Sequence, residues 1–425
     1  IFLFAAGVLW LLQWLFYVAI SLGIARAIML ALLALWSRFD KNRPVAPAID
    51  PDRFVSVLIP AYNEERVIEG SIRRVLASEE VRLEIIVIDD GSSDDTAKVV
   101  RDAFGNEPRV KLLSLQNGGK AHALNQGIIH AKGDIIIALD ADTQFETLTI
   151  ARLARWFDDK DVGAVAGNAK VGNRHNLVTK WQAIEYVTAQ NLERRALDQL
   201  GAITVVPGAV GAWRRSALDS VGGYPIDTLA EDQDLTIAVQ RKGWLVAYDI
   251  EAVAWTEAPE TFQALAKQRF RWAFGTLQCL WKHGAIIRAG KPLGLAVIGL
   301  PQAWVFQIAF ACVSPIIDLA LVASVITTTI RVSQHGWAQT QSDVLTMALF
   351  WVAFTSIDAL SGWIAYALEP RRQPYPMLLL IAQRFIYRQL MYSVVLRAVN
   401  AALTGPKVGW GKLERTGRSD MGPAV

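Results

Sequence analysis

The sequence predicts an α/β domain, a mostly parallel sheet with covering helices, embedded between transmembrane helices. Three observations lead there. Of the 425 residues, 52% are hydrophobic, and the mean hydropathy is +0.27, more apolar than an ordinary soluble domain. The excess is confined to residues 1–36 and to the stretch beyond 290, so 52–290 keeps a soluble composition. Within that interior, strand patterns alternate with helical ones, which means a parallel sheet covered on both faces.

The elements follow in order. Residues 54–60 are a buried-strand pattern ended by Pro60, with a helix expected over about 64–77. A second strand, 83–88, ends in Asp89-Asp90-Gly91, and Ser92 to Asp95 read as a helix N-terminus. A third strand is expected at 110–115, a helix at 120–130, and a fourth strand at 134–139 that runs into Asp140-Ala141-Asp142. The second half is less regular. Its small-residue stretch 206–213 suits a surface against a flat ligand, and Gly222-Gly223-Tyr224-Pro225 is a turn. Ala230-Glu231-Asp232-Gln233-Asp234 precedes a helix expected at about 235–241.

Each strand ends in polar residues: Tyr62, Asn63 and Glu64; Asp89 and Asp90; Asn117 to Lys120; Asp140 and Asp142. Ligands of parallel sheets bind beyond the carboxyl ends of the strands. One such cluster is ordinary loop polarity, but four on one edge make a nucleotide site. The Gly118-Gly119 pair lets backbone approach a ligand closely, and Lys120 supplies a point charge for phosphate. Asp140 and Asp142, two positions apart on an extended segment, point the same way. Two hard oxygen ligands side by side suit a divalent cation whose shell is completed by substrate phosphates. Asp232, near a helix N-terminus, reads equally as a cap or as a reactive acid. Gln268, Arg271 and Trp272 share one helix face by i, i+3, i+4 spacing. Arg suits a diphosphate and Trp a sugar face, while the same pattern also suits an amphipathic helix lying on a membrane.

Residues 1–36, interrupted by Gln13 and Arg26, are long enough for one tilted span or two tightly connected ones. They are too long for a cleaved signal peptide and lack a small-residue cleavage site. A start at Ile1 rather than Met is expected of a chain cut from a longer protein. Apolar blocks at about 293–330 (broken by Pro301 and Pro315), 344–368 and 376–403 give three or four more spans. Arg38, Lys41 and Arg43 follow the first block, and Lys407, Lys412, Arg415 and Arg418 the last. These place both ends and the α/β domain on the cytoplasmic side. An even number of crossings must then separate 290 from 405. If the last two blocks each span once, Arg371 and Arg372 lie outside, against the rule. Arg384, Arg388 and Arg397 are expected to line a water-filled channel or its mouth, or else to snorkel at the interface.

The net charge of +3 argues neither way on nucleic acid, and no such partner is expected. Two cysteines build no disulfide framework, which fits a cytosolic catalytic domain. Five scattered histidines show no metal-ligand spacing, and neither a P-loop nor Gly-x-Gly-x-x-Gly occurs.

Taken in order, the motifs resemble those of membrane-embedded family 2 glycosyltransferases, the processive β-polysaccharide synthases that make hyaluronan, cellulose, chitin and poly-N-acetylglucosamine. They are Pro60-Ala61-Tyr62-Asn63-Glu64, Asp89-Asp90-Gly91-Ser92, Gly119-Lys120-Ala121-x-Ala123-Leu124-Asn125, Asp140-Ala141-Asp142, Glu231-Asp232 and Gln268-x-x-Arg271-Trp272. The resemblance implies a GT-A fold with a mixed, mostly parallel sheet, and inverting transfer from a UDP-sugar. It implies Tyr62, Glu64, Asp89 and Asp90 at uridine, and Lys120 and Asp140 at the diphosphate. Asp142, beside Asp140, is implied as the seat of Mg²⁺ or Mn²⁺, and Asp232, beside Glu231, as the catalytic base. Gln268, Arg271 and Trp272 are implied to grip the diphosphate and stack the acceptor sugar at the mouth of a transmembrane channel. The family usually has threonine before Glu-Asp. Here Ala230 stands there, so the cap or acceptor contact is expected to differ.

Residues 383–388 and 409–415 look most like a bacterial subgroup in which the synthase is often fused behind a polysaccharide-deacetylase domain. That subgroup is nearest to chitin-oligomer and poly-N-acetylglucosamine synthases. UDP-N-acetylglucosamine is therefore the expected donor, a growing polysaccharide the acceptor, and the bacterial inner membrane the location. The expected layout is a transmembrane segment at 1–37, the catalytic domain at 52–256 and interface helices at 257–290. Transmembrane helices follow at 293–404 and a cytosolic tail at 405–425. Three alternatives stand beside it: a non-processive transferase acting on a lipid acceptor, a β-glucan synthase using UDP-glucose, and a transporter or scaffold with a degenerate nucleotide domain. Intact Asp140, Asp142 and Asp232 argue against the last.

Overall fold

The computed structural model describes residues 2–39 and 46–405. The tail motif at 409–415 and the basic residues Lys41, Arg43, Lys407, Lys412, Arg415 and Arg418 lie outside the described residues.

Eight strands form a sheet in the order β3-β2-β1-β4-β7-β6-β8-β5. They are β1 (Phe54–Ala61), β2 (Arg82–Asp89), β3 (Val110–Ser114), β4 (Ile135–Ala138), β5 (Gln144–Phe145), β6 (Val162–Val171), β7 (Gly211–Arg214) and β8 (Leu245–Thr256). The first four pair in parallel, β7 runs antiparallel to β4 and β6, and β6 pairs parallel with β8. The sheet is thus mixed and mostly parallel, as expected of a GT-A fold. Alternation within each strand loads both faces. Val55, Val57 and Ile59 pack on the side of the Ile68–Leu76 helix, and Leu58, with Ile86 and Ile88, on the side of the Lys120–His130 helix. Because β1 lies between β2 and β4, the chain leaves it toward opposite sides, and a crevice opens at the carboxyl ends.

Two helices begin elsewhere than expected. The first starts at Ile68, not near Glu64, because the preceding loop is tied to the loop after β2. Asn63 sits at φ 56° and accepts from Ser93 N–H at 2.7 Å, while Glu64 N–H donates to Thr96 Oγ1 at 2.8 Å. The other starts at Glu231, so Glu231 and Asp232 belong to its first turn rather than to a loop ahead of it.

Three helices among the described residues are long and apolar enough to cross a membrane: Trp14–Phe39, Leu295–Leu319 and Trp337–Ala367. The block at 376–403 is broken instead into Met377–Gln383 and Tyr387–Thr404. Two of its arginines are paired with acids of neighbouring helices. Arg384 pairs with Asp358 at 2.8 Å and Arg388 with Asp318 at 3.1 Å. The loop after the Trp337–Ala367 helix returns to the α/β domain, where Glu369 pairs with Lys170 at 2.7 Å and Arg371 with Glu146 at 3.0 Å. Arg371 therefore lies against the α/β domain.

Candidate active site

A cavity of about 830 Å³ opens at the carboxyl ends of β1 and β4. Tyr62, Glu64, Asp90, Lys120, Asp140, Asp142, Glu231, Asp232, Gln268, Arg271 and Trp272, gathered from six separate stretches of sequence, all line it. Asp89 does not. Its buried carboxylate accepts from Ser92 N–H at 3.1 Å and holds the turn after β2. Its neighbour Asp90 reaches the site and accepts from Gly118 N–H at 2.9 Å and Gly119 N–H at 2.8 Å. Those two glycine N–H groups thus face a carboxylate rather than an incoming ligand.

The Asp140–Asp142 pair lies just past β4 in a turn closed by Thr143 N–H to Asp140 C=O at 2.9 Å. The turn, not strand pleat, brings both to the cavity. Their surroundings differ. Asp140 holds Lys120 Nζ at 2.6 Å, whereas buried Asp142 accepts from the hydroxyls of Thr143 at 3.2 Å and Thr256 at 3.4 Å. Glu231 reaches the same ammonium at 3.3 Å. Burial works against the charge on Lys120, but Asp140, Glu231 and Asp232 outweigh it and hold the group well above its ordinary range. Burial pushes Glu231 up; Lys120 opposes this and Asp232 adds to it. Among the described residues, no group of three or more His, Cys, Asp or Glu is placed to hold a metal.

Asp232 is half-buried and its carboxylate is fixed from two sides. Oδ1 accepts from Gln233 N–H at 2.8 Å and Oδ2 from Gly208 N–H at 3.2 Å. This gives the small-residue stretch at 206–213 a reason. A Cβ at Gly208 would stand 2.7 Å from Lys120 Nζ. On the facing helix, Phe262–Lys282, the Gln268 amide oxygen is buried and has no hydrogen-bond partner among the described residues. Trp272 is 39% exposed, with Arg269 stacked on its ring at 4.0 Å from the centroid.

Residues 51–275 match the model of the glycosyltransferase-like family 2. The chain belongs to that family. Over 239 residues it is 33% identical to a poly-β-1,6-N-acetyl-D-glucosamine synthase of Staphylococcus aureus, covering 56% of this chain and 58% of that one. A protein of the same name from Staphylococcus epidermidis is 33% identical over 258 residues, 59% of this chain and 62% of that one. The alignment thus spans about three fifths of the curated relatives' length. In fold, this glycosyltransferase is similar to a mannosyltransferase of Pyrobaculum calidifontis solved with GDP-Man and Mn²⁺. That likeness has a TM-score of 0.60 at 23% identity and covers 88% of this chain and 99% of that one.

The glycosyltransferase motifs on the helices Glu231–Arg241 and Phe262–Lys282 are held together by close packing and by charge. Ala230, where the family pattern has threonine, makes no side-chain cap. It lies against Gly275, where a Cβ would meet Ala230 N at 2.8 Å. Buried Asp234 pairs with His283 at 2.7 Å and Lys282 at 2.8 Å. Burial alone would raise Asp234, but hydrogen bonds from His283, Lys282 and Thr228 hold its carboxyl below the usual range. Gly275→Ala is therefore expected to separate the two helices and cost roughly 1–3 kcal/mol. A thermal midpoint in detergent unchanged from the native chain would refute this.

Sequence reasoning missed several lining residues, among them Arg269, Glu185, Glu193 and Arg194. Arg269 lies three residues before Trp272, a spacing that gave a signal. Burial opposes its charge, but Glu185, at 2.7 Å, more than offsets this, so its pKa is raised. Glu185 and Arg194 flank the π-helical turn Tyr186–Asn191. No motif marks that turn, although such turns cluster at functional sites.

Proposed function

We propose that this chain is a membrane-embedded inverting β-glycosyltransferase that polymerises N-acetylglucosamine from UDP-N-acetylglucosamine and passes the product toward the bilayer. One observation carries the reading: the paired acids Asp140 and Asp142, the fixed acid Asp232 and the Gln268–Arg271–Trp272 face share one cavity. That cavity is large enough for a drug-sized ligand and more. Its far wall includes Arg26 and Phe306, from two of the helices long enough to span a membrane. The 33% identity to poly-β-1,6-N-acetyl-D-glucosamine synthases supports the choice of sugar.

In this reading Tyr62, Glu64 and Asp90 receive the uridine. Lys120 and Arg271 face the diphosphate, and Trp272 offers its exposed side to the acceptor sugar. The acceptor oxygen attacks the anomeric carbon as the bond to the diphosphate oxygen breaks. The bonding electron pair leaves with UDP, and the hydroxyl proton passes to Asp232. Gly208 and Gln233 N–H groups each occupy one lone pair of an Asp232 oxygen, leaving the others to accept that proton. Glu231 holds Lys120 in place. Lys120 and Arg271 stabilise charge that grows on the leaving group, which favours the transition state over the ground state.

The residues fit a divalent cation. Asp140 and Asp142 line the cavity together, and both offer hard carboxylate oxygens. Asp142 and Asp140 would hold the cation, with substrate phosphate oxygens supplying further ligands. Mg²⁺ or Mn²⁺ there would neutralise the diphosphate. The Arg371–Glu146 contact supports a topology with the α/β domain, both ends of 290–405 and the broken 377–404 segment on the cytoplasmic side.

The test is a donor screen on purified membranes with and without chelator, followed by product mass analysis. Metal-dependent release of UDP from UDP-N-acetylglucosamine, with a ladder of N-acetylhexosamine products, is expected. Products from UDP-glucose alone, or a single sugar on a lipid, would replace this reading with one of its alternatives.

A further inference from the structure

The cavity has a second polar end, and no motif accounts for it. Arg26 interrupts the apolar run of the first candidate span, and its guanidinium faces inward. Its Nη2 donates to Glu193 Oε2 at 2.6 Å and its Nε to Gln302 Oε1 at 3.3 Å. Gln302 Nε2 in turn donates to Glu193 Oε1 at 2.5 Å. Three side chains from three elements close a ring: the N-terminal span, the helix Leu192–Asp198 of the α/β domain, and the span Leu295–Leu319. Arg26 also lies over the Phe306 ring at 5.0 Å. Arg26, Glu193 and Phe306 line the same cavity as Trp272 and Asp232.

An ionisable group within a span is costly and marks a polar pathway or site by default. A clamp between helices needs no charge on a cavity wall. This ring turns an arginine and a carboxylate, held in place by the buried Gln302 amide, toward the cavity that also holds Trp272. Planar groups that both donate and accept match the hydroxyl and acetamido groups of a sugar chain.

We propose that Arg26 and Glu193, positioned by Gln302, form a distal subsite for the acceptor, binding sugar units of a β-linked N-acetylhexosamine chain behind the unit at Trp272. The inference rests on the proposed polymerase reading. A chain long enough to reach the ring gains contacts that a disaccharide cannot make, so acceptor affinity rises with length.

The experiment measures the acceptor KM for N-acetylglucosamine oligosaccharides from dimer to hexamer, with UDP-N-acetylglucosamine saturating, in the native membrane-embedded chain and in Arg26→Met and Gln302→Leu. For the native chain, KM is expected to fall about tenfold with length, the change expected for about one added polar contact. In either variant that dependence flattens, while the donor KM is not raised. Gln302→Leu removes no charge and serves if Arg26→Met does not accumulate. A native KM independent of acceptor length, or variants that keep the native dependence, would overturn the subsite and leave the polymerase reading standing. Parallel loss of donor affinity would assign the ring to the fold instead. Absence of transfer to any acceptor by the native chain would instead sink the underlying reading.

Discussion

Asp232→Asn is expected to lower sugar transfer by roughly 10²–10⁴-fold, the contribution of a positioned general base, while leaving UDP binding within about twofold. The acceptor hydroxyl is a weak nucleophile until its proton has somewhere to go. Among the acids of the cavity, Asp140 and Glu231 are turned onto Lys120, and Asp142 lies buried beneath the hydroxyls of Thr143 and Thr256. Asp232 is half-buried, lines the cavity with Trp272 and is held by the backbone N–H groups of Gly208 and Gln233. The amide cannot take the proton. It also sets one NH₂ against the N–H of Gly208 or Gln233, a mismatch worth about 1–3 kcal/mol of stability. Transfer kinetics should therefore be read beside UDP affinity and the thermal midpoint. Near-native polymer synthesis by this variant would remove Asp232 from the role of base.

Much of this site was legible because its residues sit where strands end, and strands announce themselves locally. The apolar runs before Tyr62, Asp89 and Asp140 each place their polar successors on one edge of the sheet. Adjacent acids are another matter. Whether Asp89 or Asp90 enters the cavity depends on the turn after β2, where Ser92 N–H captures one and the Gly118-Gly119 loop the other. The two partners are separated by some 27 residues of sequence, so local pattern could not decide. Glu193 and Arg194 were invisible for a related reason. The turn Tyr186–Asn191 shifts the helical register before them, and periodicity assumes that the register is constant. The 376–403 block is hard to read from composition. Its apolar residues suffice for a span, but Arg384 and Arg388 pair with Asp358 and Asp318 on neighbouring helices, and the helix breaks between 383 and 387.

Lys120→Met is expected to have the largest effect on the resting protein as well as on donor use. Lys120 is the cation between Asp140 at 2.6 Å and Glu231 at 3.3 Å. Removing one partner of a buried ionic cluster costs roughly 3–5 kcal/mol, and the lower end applies because the cavity admits water. The pH dependence identifies the cause. Burial already raises Glu231 above its ordinary 4.5, and Lys120 is the main influence pulling it down. Without Lys120, Glu231 rises further. A carboxyl whose folded pKa exceeds its unfolded value contributes stability below the unfolded pKa and loses it as pH climbs through the folded one. The deficit of Lys120→Met relative to the native chain is therefore largest near neutrality and narrows as pH falls toward 4.5. Thermal midpoints of both proteins at about pH 7.5 and about pH 5 test the sign. A gap that stays constant or widens on acidification would mean that lost packing, not the uncompensated carboxylates, sets the cost. On the catalytic side, the donor KM is expected to rise while the acceptor KM holds. In the proposed reading, the lysine that offsets Asp140 and Glu231 also faces the diphosphate of the donor.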